Sequence, residues 1–194
     1  TPKLNLNLTK GEKPEVALGF DESNMLSVDV YYTQQGQIDG KKDNSSNTKN
    51  RFWHHAKPLK RKNDWTAELP VFSLNSPLWV YANVTYELSK EISAAGYYYG
   101  DYTTKSFTIS SLLKMISPSE LKQSKVITSM QPLKVIEDFK DDWKKEWFTY
   151  KPQKWGFRTH KIYSRVWKPS PNDKLSIEIR SSSANKMAVS IDGF

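Results

Sequence analysis

The chain has 194 residues, no cysteine and a net charge of +8, from 29 Lys+Arg against 21 Asp+Glu. The lack of thiols excludes disulfides and thiolate metal sites, and no apolar run reaches the roughly 18 residues that a transmembrane helix needs. The positive charge favours an anionic partner, such as an acidic polysaccharide, without choosing one. Thr1 and the lack of a basic-then-apolar leader indicate a chain processed or excised from something longer.

Apolar residues that alternate with polar ones predict β-strands in the first part of the chain. The predicted strands are residues 3–9, 25–33, 51–55, 65–71, 77–88 and 107–110, with a long loop rich in Gly, Asn, Ser and Lys at 34–50. The strand at 77–88 carries large apolar groups on both faces, which predicts a central position covered on both sides. Short strands separated by turn signals predict an immunoglobulin-like β-sandwich over residues 1–112.

The pattern changes after this region, where Ser117-Pro118-Ser119-Glu120 has the spacing of a capping box with proline at the first helical position. We therefore expect a short helix at 118–123 within a linker over residues 113–132. Alternation then resumes and predicts strands at 134–139, 147–150, 160–167, 174–180 and 187–191. Residues 133–194 are predicted to form a second β-sandwich segment, which is incomplete or leans on the first.

Signatures of catalysis are missing from the sequence. There is no Gly-x-Ser-x-Gly motif and no alternation of strands with helices, which argues against an α/β-hydrolase core inside this chain. No catalytic residue is assigned. The adjacent histidines His54 and His55 would point to opposite faces of a strand, so they make a poor metal-chelating pair.

Four acidic residues offer the hard oxygen ligands that calcium takes: Glu137, Asp138, Asp141 and Asp142. Their spacing lacks the Asp-x-Asp-x-Asp-Gly periodicity of a dedicated calcium loop. A solvated turn is therefore favoured over a calcium site, and no other cofactor is indicated. Nothing in the sequence places two of these carboxylates at the separation that a glycosidase needs.

Aromatic residues give the most suggestive functional signal. Four of the seven tryptophans lie between residues 143 and 167: Trp143, Trp147, Trp155 and Trp167. Sugar rings stack their C–H faces on indole and phenol rings, while their hydroxyls need nearby polar groups, which are interleaved here. These tryptophans are candidate carbohydrate-binding residues, and the alternative is that they fill the core of a small domain.

A second aromatic segment contains Tyr97, Tyr98, Tyr99 and Tyr102. Consecutive tyrosines on a strand alternate faces, so at least one of them is expected to reach solvent or a neighbouring domain. We interpret this segment as an interdomain contact. Basic residues interleaved with aromatics also occur in single-stranded nucleic-acid binders, but no nucleic-acid motif accompanies them, so nucleic acid is a minor alternative.

Residues 77–86 (PLWVYANVTY), 95–100 (AGYYYG), 135–139 (VIEDF) and 146–150 (EWFTY) give the chain a resemblance to known proteins. It resembles the C-terminal accessory region of bacterial α/β-hydrolase proteins of the dienelactone hydrolase or acetyl xylan esterase kind. The resemblance implies an immunoglobulin-like module followed by a jelly-roll-like module. It also implies an exported protein, secreted or periplasmic, that acts on polysaccharide. The hydrolase domain itself is missing, so no catalytic residue can be carried over.

The sequence therefore favours an all-β, non-catalytic accessory module that binds polysaccharide or orients a hydrolase domain in cis or in trans. One alternative is a docking scaffold without a ligand of its own, in which the tyrosine segment contacts the hydrolase domain. Another is a polysaccharide esterase or hydrolase whose catalytic domain lies outside this chain.

Overall fold

The computed structural model describes residues 3–35, 52–61, 64–96, 100–129, 135–138, 171–184, 186 and 188–189. Its strands are β1 (Asn5–Thr9), β2 (Glu15–Gly19), β3 (Met25–Thr33), β4 (His54–Ala56), β5 (Leu59–Arg61), β6 (Asp64–Glu68), β7 (Leu78–Gly96), β8 (Gly100–Ser110) and β9 (Lys114–Ile116), and one short helix follows, α1 (Pro118–Gln123). The prediction of an all-β fold is confirmed.

The strands form two antiparallel sheets, which we call sheet A and sheet B. Sheet A has the order β1-β2-β6-β5, and sheet B has the order β4-β3-β7-β8 with β9 also paired to β7. With the strands lettered along the chain, these are the A-B-E-D and C′-C-F-G arrangements of immunoglobulin-type sandwiches. The strand β7 is central in sheet B, as its two-sided apolar pattern predicted.

The core lies between the two sheets and consists mainly of short aliphatic side chains. Sheet A contributes Leu6, Val16 and Leu18, while sheet B contributes Val30 and Val80 among others, and each is at most 6% exposed. Register explains how these side chains meet, because Leu6 is opposite Leu18 across the β1–β2 pair. Strand alternation then sends their neighbours to the outer faces.

One residue in the apolar alternation of β3, which comprises Leu26, Val28, Val30 and Tyr32, is not buried. Val28, Val30 and Tyr32 pack toward the core, but Leu26 is 56% exposed. The reason is a register shift between Met25 and Ser27, which has the character of a β-bulge. A bulge adds one residue to a strand and changes the face that the side chains before it occupy.

Strand β7 extends well beyond the sandwich, and of the described strands only β8 pairs with it there. Its register with β8 shifts between Glu87 and Ile92, where β7 advances by more residues than β8 does. Beyond the shift, Ile92 is opposite Thr104, and the pairing continues to Gly96 opposite Gly100. We call this extension, residues 88–96 and 100–105, the arm. Gly100 has φ +76°, a left-handed conformation that glycine adopts without strain.

The segment after β8 packs against the sandwich. Ile116 in β9 and Leu121 in α1 are fully buried, and Val126 is 5% exposed in the same core. The capping box is present as predicted, because the Ser117 hydroxyl accepts from the Glu120 amide while the Glu120 carboxylate accepts from the Ser117 amide. Backbone hydrogen bonds from Ile127 to Glu12 and from Ser129 to Val71 fasten the segment in place.

The predicted strand at 174–180 is wrong. Residues 171–184 contain no strand and are exposed throughout, including Leu175, Ile177 and Ile179, which are 46 to 58% exposed. Alternation alone gives an apolar face but not a partner, and an unpaired extended segment is not a sheet. Residues 135–138 likewise contain no strand. The predicted strands at 147–150 and 160–167 lie outside the described residues. Of the predicted strand at 187–191 only residues 188–189 are described, and they are not in a strand.

Candidate functional site

The outer face of sheet B carries a cluster of aromatic and polar side chains. Tyr31, His55 and Tyr81 form one row across β4, β3 and β7, because Tyr31 is opposite both His55 and Tyr81. Their strand neighbours Val30 and Ala82 point into the core, so this row points away from it. We call the row, together with Asp29 and Trp53, the aromatic face.

The rings of the aromatic face contact one another closely. The Tyr31 and Tyr81 rings are stacked, with centroids 5.4 Å apart and planes at 24°, while Trp53 meets Tyr81 edge-on at 4.8 Å. The His55 ring lies 5.4 Å from Tyr31 on the other side. Tyr31, Trp53 and Tyr81 are partly exposed, whereas the His55 side chain is only 5% exposed, so three rings form a half-buried surface beside a buried imidazole. Aromatic pairs in such arrangements stabilise one another, and they hold each ring in a fixed orientation.

A buried carboxylate orients the histidine of this face. Asp29 is 8% exposed, and its Oδ1 lies 3.0 Å from Nε2 of His55, whose side chain is 5% exposed. The Ser27 hydroxyl donates to the other carboxylate oxygen at 3.3 Å. Because buried charges need hydrogen-bonding partners, these contacts account for a carboxylate in the middle of a strand. They also fix the plane of the imidazole ring.

Further polar groups continue along the same side of the sheet. Asn83 is opposite Asp29, and the Ser110 hydroxyl donates to the Asn83 amide oxygen at 2.7 Å. One row further, the hydroxyls of Thr85 and Thr108 are 2.9 Å apart. Along β7, the outer side of sheet B therefore carries an aromatic ring at Tyr81, an amide at Asn83 and a hydroxyl at Thr85.

The Tyr81 phenol stays protonated across the neutral range, because burial raises its pKa above the ordinary value of 10.0. It is thus a hydroxyl that can donate or accept a hydrogen bond, not an anion. A stacked ring with a neutral hydroxyl can contact both an apolar and a hydroxylated part of one ligand, and the buried imidazole supports the Tyr31 ring from the other side.

A separate aromatic cluster fills the inner side at the same end of the sandwich. His54 points inward, where it stacks on Tyr32 at 5.1 Å and contacts Phe52 and Phe72. The two adjacent histidines therefore occupy opposite faces, as predicted. Gln34 closes this end: its amide donates to the carbonyls of Ser73 and Ser76 and accepts from the amides of Phe72 and Ser73.

The candidate residues chosen from the sequence are mostly outside the described residues. Trp143, Trp147, Trp155 and Trp167, as well as Tyr97, Tyr98 and Tyr99, belong to that group, so their assigned roles stay predictions. Tyr102 is described: it lies in β8, opposite Ala94, and its side chain is 65% exposed. The predicted interdomain contact through Tyr102 stays a prediction.

Charged groups in the described part of the chain are arranged in surface pairs. In β5, Lys60 pairs with Glu22 and Arg61 pairs with Glu15 at 3.4 Å. No cluster of His, Asp or Glu that could hold a metal ion occurs among the residues that the structure describes. Within the same residues, no helix is long and apolar enough to cross a membrane.

Sequence reasoning missed most of the aromatic face. His55 was considered as one of a possible metal-chelating pair, and Asp29, Tyr31 and Tyr81 were not singled out. One signal was visible: Asp29 interrupts the apolar residues Val28 and Val30, and a carboxylate inside a strand needs a partner. The identity of that partner depends on the register between β3 and β4, which the sequence alone does not give.

Comparison with protein-family models, curated proteins and solved structures finds no match to this chain. The likeness to accessory regions of α/β-hydrolase proteins therefore rests on the sequence segments alone, and the chain is characterised by its sandwich fold and its aromatic face.

Proposed function

We propose that the chain is a non-catalytic module that binds carbohydrate through the aromatic face of sheet B. The observation that carries the proposal is the fixed set of partly exposed rings, in which Tyr31 stacks on Tyr81 and Trp53 packs against Tyr81. A pyranose ring has an apolar C–H face that stacks on such rings. The rings belong to strands or lie beside one, so little conformational freedom is lost on binding.

Polar groups beside the rings support the same proposal. A sugar bound on the rings needs hydrogen-bonding partners for its hydroxyls, and the same side of the sheet carries the neutral Tyr81 hydroxyl and, two positions along β7, the Asn83 amide. Ligand sites with an apolar surface and few fixed polar groups have this composition. The net charge of +8 favours an acidic polysaccharide over a neutral one.

The wider setting is proposed from the sequence resemblance. In that setting the module is exported to the periplasm or the exterior, and it directs an associated polysaccharide-active hydrolase to its substrate. The hydrolase domain would be supplied in cis or in trans.

Affinity electrophoresis tests the proposal. The chain is run through gels that contain neutral or acidic plant and algal polysaccharides, at low salt and at about 0.5 M salt, where charge attraction between exposed groups is largely screened. We expect one glycan to retard the chain at both salt concentrations. Retardation that disappears with salt would reduce the interaction to charge attraction and contradict the proposal.

Variants locate the binding surface. Trp53→Ala and Tyr81→Ala should abolish the retardation, whereas Tyr81→Phe, which keeps the ring, should retain most of it. Tyr102→Ala is the matched control, because it removes an exposed tyrosine ring far along β8. Thermal unfolding confirms that each variant is folded. If only Trp→Ala changes at 143, 147, 155 or 167 abolish retardation, the aromatic face is not the site and the tryptophan prediction is correct.

A further inference from the structure

Among the described strands, β8 is an edge strand over its whole length. In sheet B it pairs only with β7, and no described strand pairs with its other side. Edge strands present unpaired amide and carbonyl groups, which pair readily with another chain. Natural edges are protected by proline, by charged side chains, by bulges or by short length; β8 spans Gly100–Ser110 without a proline, and its charged residues are Asp101 and Lys105.

The direction of the backbone groups follows from the side chains of the arm. The hydroxyls of Ser93 and Thr103 are only 2.7 Å apart, the close approach of a non-hydrogen-bonded pair. In such a pair the amide and carbonyl groups point away from the partner strand. Thr103 therefore directs its backbone groups to the open edge, and Asp101, two residues earlier, does the same.

The open segment has a defined inner end. The Ser106 amide donates to the Thr104 hydroxyl at 3.2 Å, and that hydroxyl donates to the Ser106 carbonyl at 2.8 Å. The backbone groups of Ser106 are thus satisfied within β8. The part of the edge that is available for pairing runs from Gly100 to Lys105.

The charges of this segment are arranged symmetrically. Asp101 and Lys105 are its two charged residues, and each is two positions from Thr103; Lys105 also forms an exposed ion pair with Glu91 of β7 at 3.3 Å, which leaves its side chain 77% exposed. When two copies of β8 pair antiparallel with Thr103 opposite Thr103, Asp101 of each copy lies opposite Lys105 of the other. Opposite charges that face each other across strands stabilise the pair, and like charges destabilise it. The edge is therefore complementary to itself in this register.

We propose that two copies of the chain associate through the β8 edge, with a two-fold axis at Thr103. The contact joins the two sheets B into one continuous sheet across the dimer. An isologous contact of this kind closes after two copies, because each uses the same strand. It also covers the exposed arm, which is otherwise a two-stranded hairpin of marginal stability.

Sedimentation velocity tests the proposal over a range of protein concentrations. The chain should show a reversible monomer–dimer equilibrium. Asp101→Lys places lysines opposite each other twice per dimer and should raise the dissociation constant roughly tenfold. Lys105→Asp does the same with carboxylates, and the double variant D101K/K105D should regain most of the wild-type affinity.

Mixing the single variants gives the decisive result. Asp101→Lys and Lys105→Asp should each dimerise weakly alone but form a tight heterodimer together, since opposite charges then meet at both positions. Lys90→Asp, on the arm in β7, controls for the change in net charge, and Glu91→Gln controls for the loss of the intrachain ion pair with Lys105. Both should leave dimerisation close to that of the wild type.

Two results would overturn the proposal. One is a wild-type chain that stays monomeric at the highest concentration that remains soluble. The other is a dimer that responds to Lys90→Asp as strongly as to Lys105→Asp, or that shows no gain on mixing the single variants. Thr103→Pro gives a further check: it removes the outward amide without removing a backbone hydrogen bond to β7, and of the bonds to β7 it loses the hydroxyl contact with Ser93, so it should abolish the dimer and leave the sandwich folded.

Discussion

The two halves of β7 show how differently one strand can be stabilised. From Leu78 to Tyr86 it lies between β3 and the strands β8 and β9, and its inward side chains are at most 3% exposed. From Ile92 to Gly96 it pairs with β8 alone, and Ile92 is 52% exposed. The comparison shows that a strand can continue where its side chains are no longer buried. The backbone hydrogen bonds to one neighbouring strand are enough to keep the extended conformation.

The largest effect should come from truncating a side chain in the buried half. Leu78 is fully buried, so Leu78→Ala should lower the free energy of unfolding by about 3 kcal/mol, from lost burial and the cavity left behind. Ile92→Ala, in the arm, should change it by less than about 0.5 kcal/mol. Urea unfolding followed by tryptophan fluorescence measures both values. Equal losses would mean that the arm belongs to the core.

The buried half also depends on one polar side chain, Gln34, which is 7% exposed. Gln34→Glu keeps the acceptor for the amides of Phe72 and Ser73 but loses the donor to the carbonyls of Ser73 and Ser76. We expect a loss of about 2 kcal/mol at neutral pH, since two acceptors lose their partner and a charge is buried.

The loss at Gln34→Glu should shrink at acid pH, because the protonated carboxyl group can again donate one hydrogen bond. Gln123→Glu, on the exposed side of α1, is the control and should change stability by less than about 0.5 kcal/mol. A similar loss for both variants would show that the hydrogen bonds of Gln34 are not the cause.

At the junction of the two halves, Tyr86 is 3% exposed and stacks on Phe107 at 5.4 Å. Its hydroxyl has no hydrogen-bond partner among the described residues, and burial raises its pKa. Tyr86→Phe should therefore be neutral or stabilise the chain by up to about 1 kcal/mol, as removing an unsatisfied group does. Thermal unfolding measures the change, and a clear destabilisation would reveal a partner for the hydroxyl.

The smallest effect is expected at the exposed carboxylate that connects β1 to α1. The hydrogen bond from Lys10, together with those from Ser117, lowers the pKa of Glu120 from 4.5 to about 2. Since the folded-state pKa lies below the unfolded value, this carboxylate stabilises the fold above pH 4.5, and the contribution is lost as the pH falls toward 2. Urea midpoints of wild type and Glu120→Gln should therefore converge over that interval, and a constant difference would contradict the assignment.

The sequence was sufficient to predict those elements whose defining pattern lies within the element itself. The alternation in β3 and β7 and the capping box at Ser117 were sufficient, because the residues that define each element are adjacent. The arm portion of β8 was not predicted, since Thr103, Thr104 and Lys105 have no apolar alternation. Conversely, Leu175 and Ile177 alternate with polar residues but form no strand, because a strand depends on a partner elsewhere in the chain.

The aromatic face was harder to predict, for the same reason. Tyr31 and Tyr81 lie on different strands, and only the β3–β7 register makes them neighbours. The contact between Asp29 and His55 depends on β4, a strand of three residues after a long connection. Periodicity identifies which side chains share a face but not which strands are adjacent, so the site becomes visible only once the sheet order is known.

The segment that follows β8 determines when the sandwich can close during synthesis. The first strands leave the ribosome early, but the core stays incomplete until Ile116, Leu121 and Val126 arrive. The last bonds, from Ile127 to Glu12 and from Ser129 to Val71, join residues made late to residues made early. A nascent chain that stops at residue 112 would therefore leave exposed the apolar side chains that Ile116, Leu121 and Val126 cover. We expect chaperones to bind such a chain, because its domain is not yet complete.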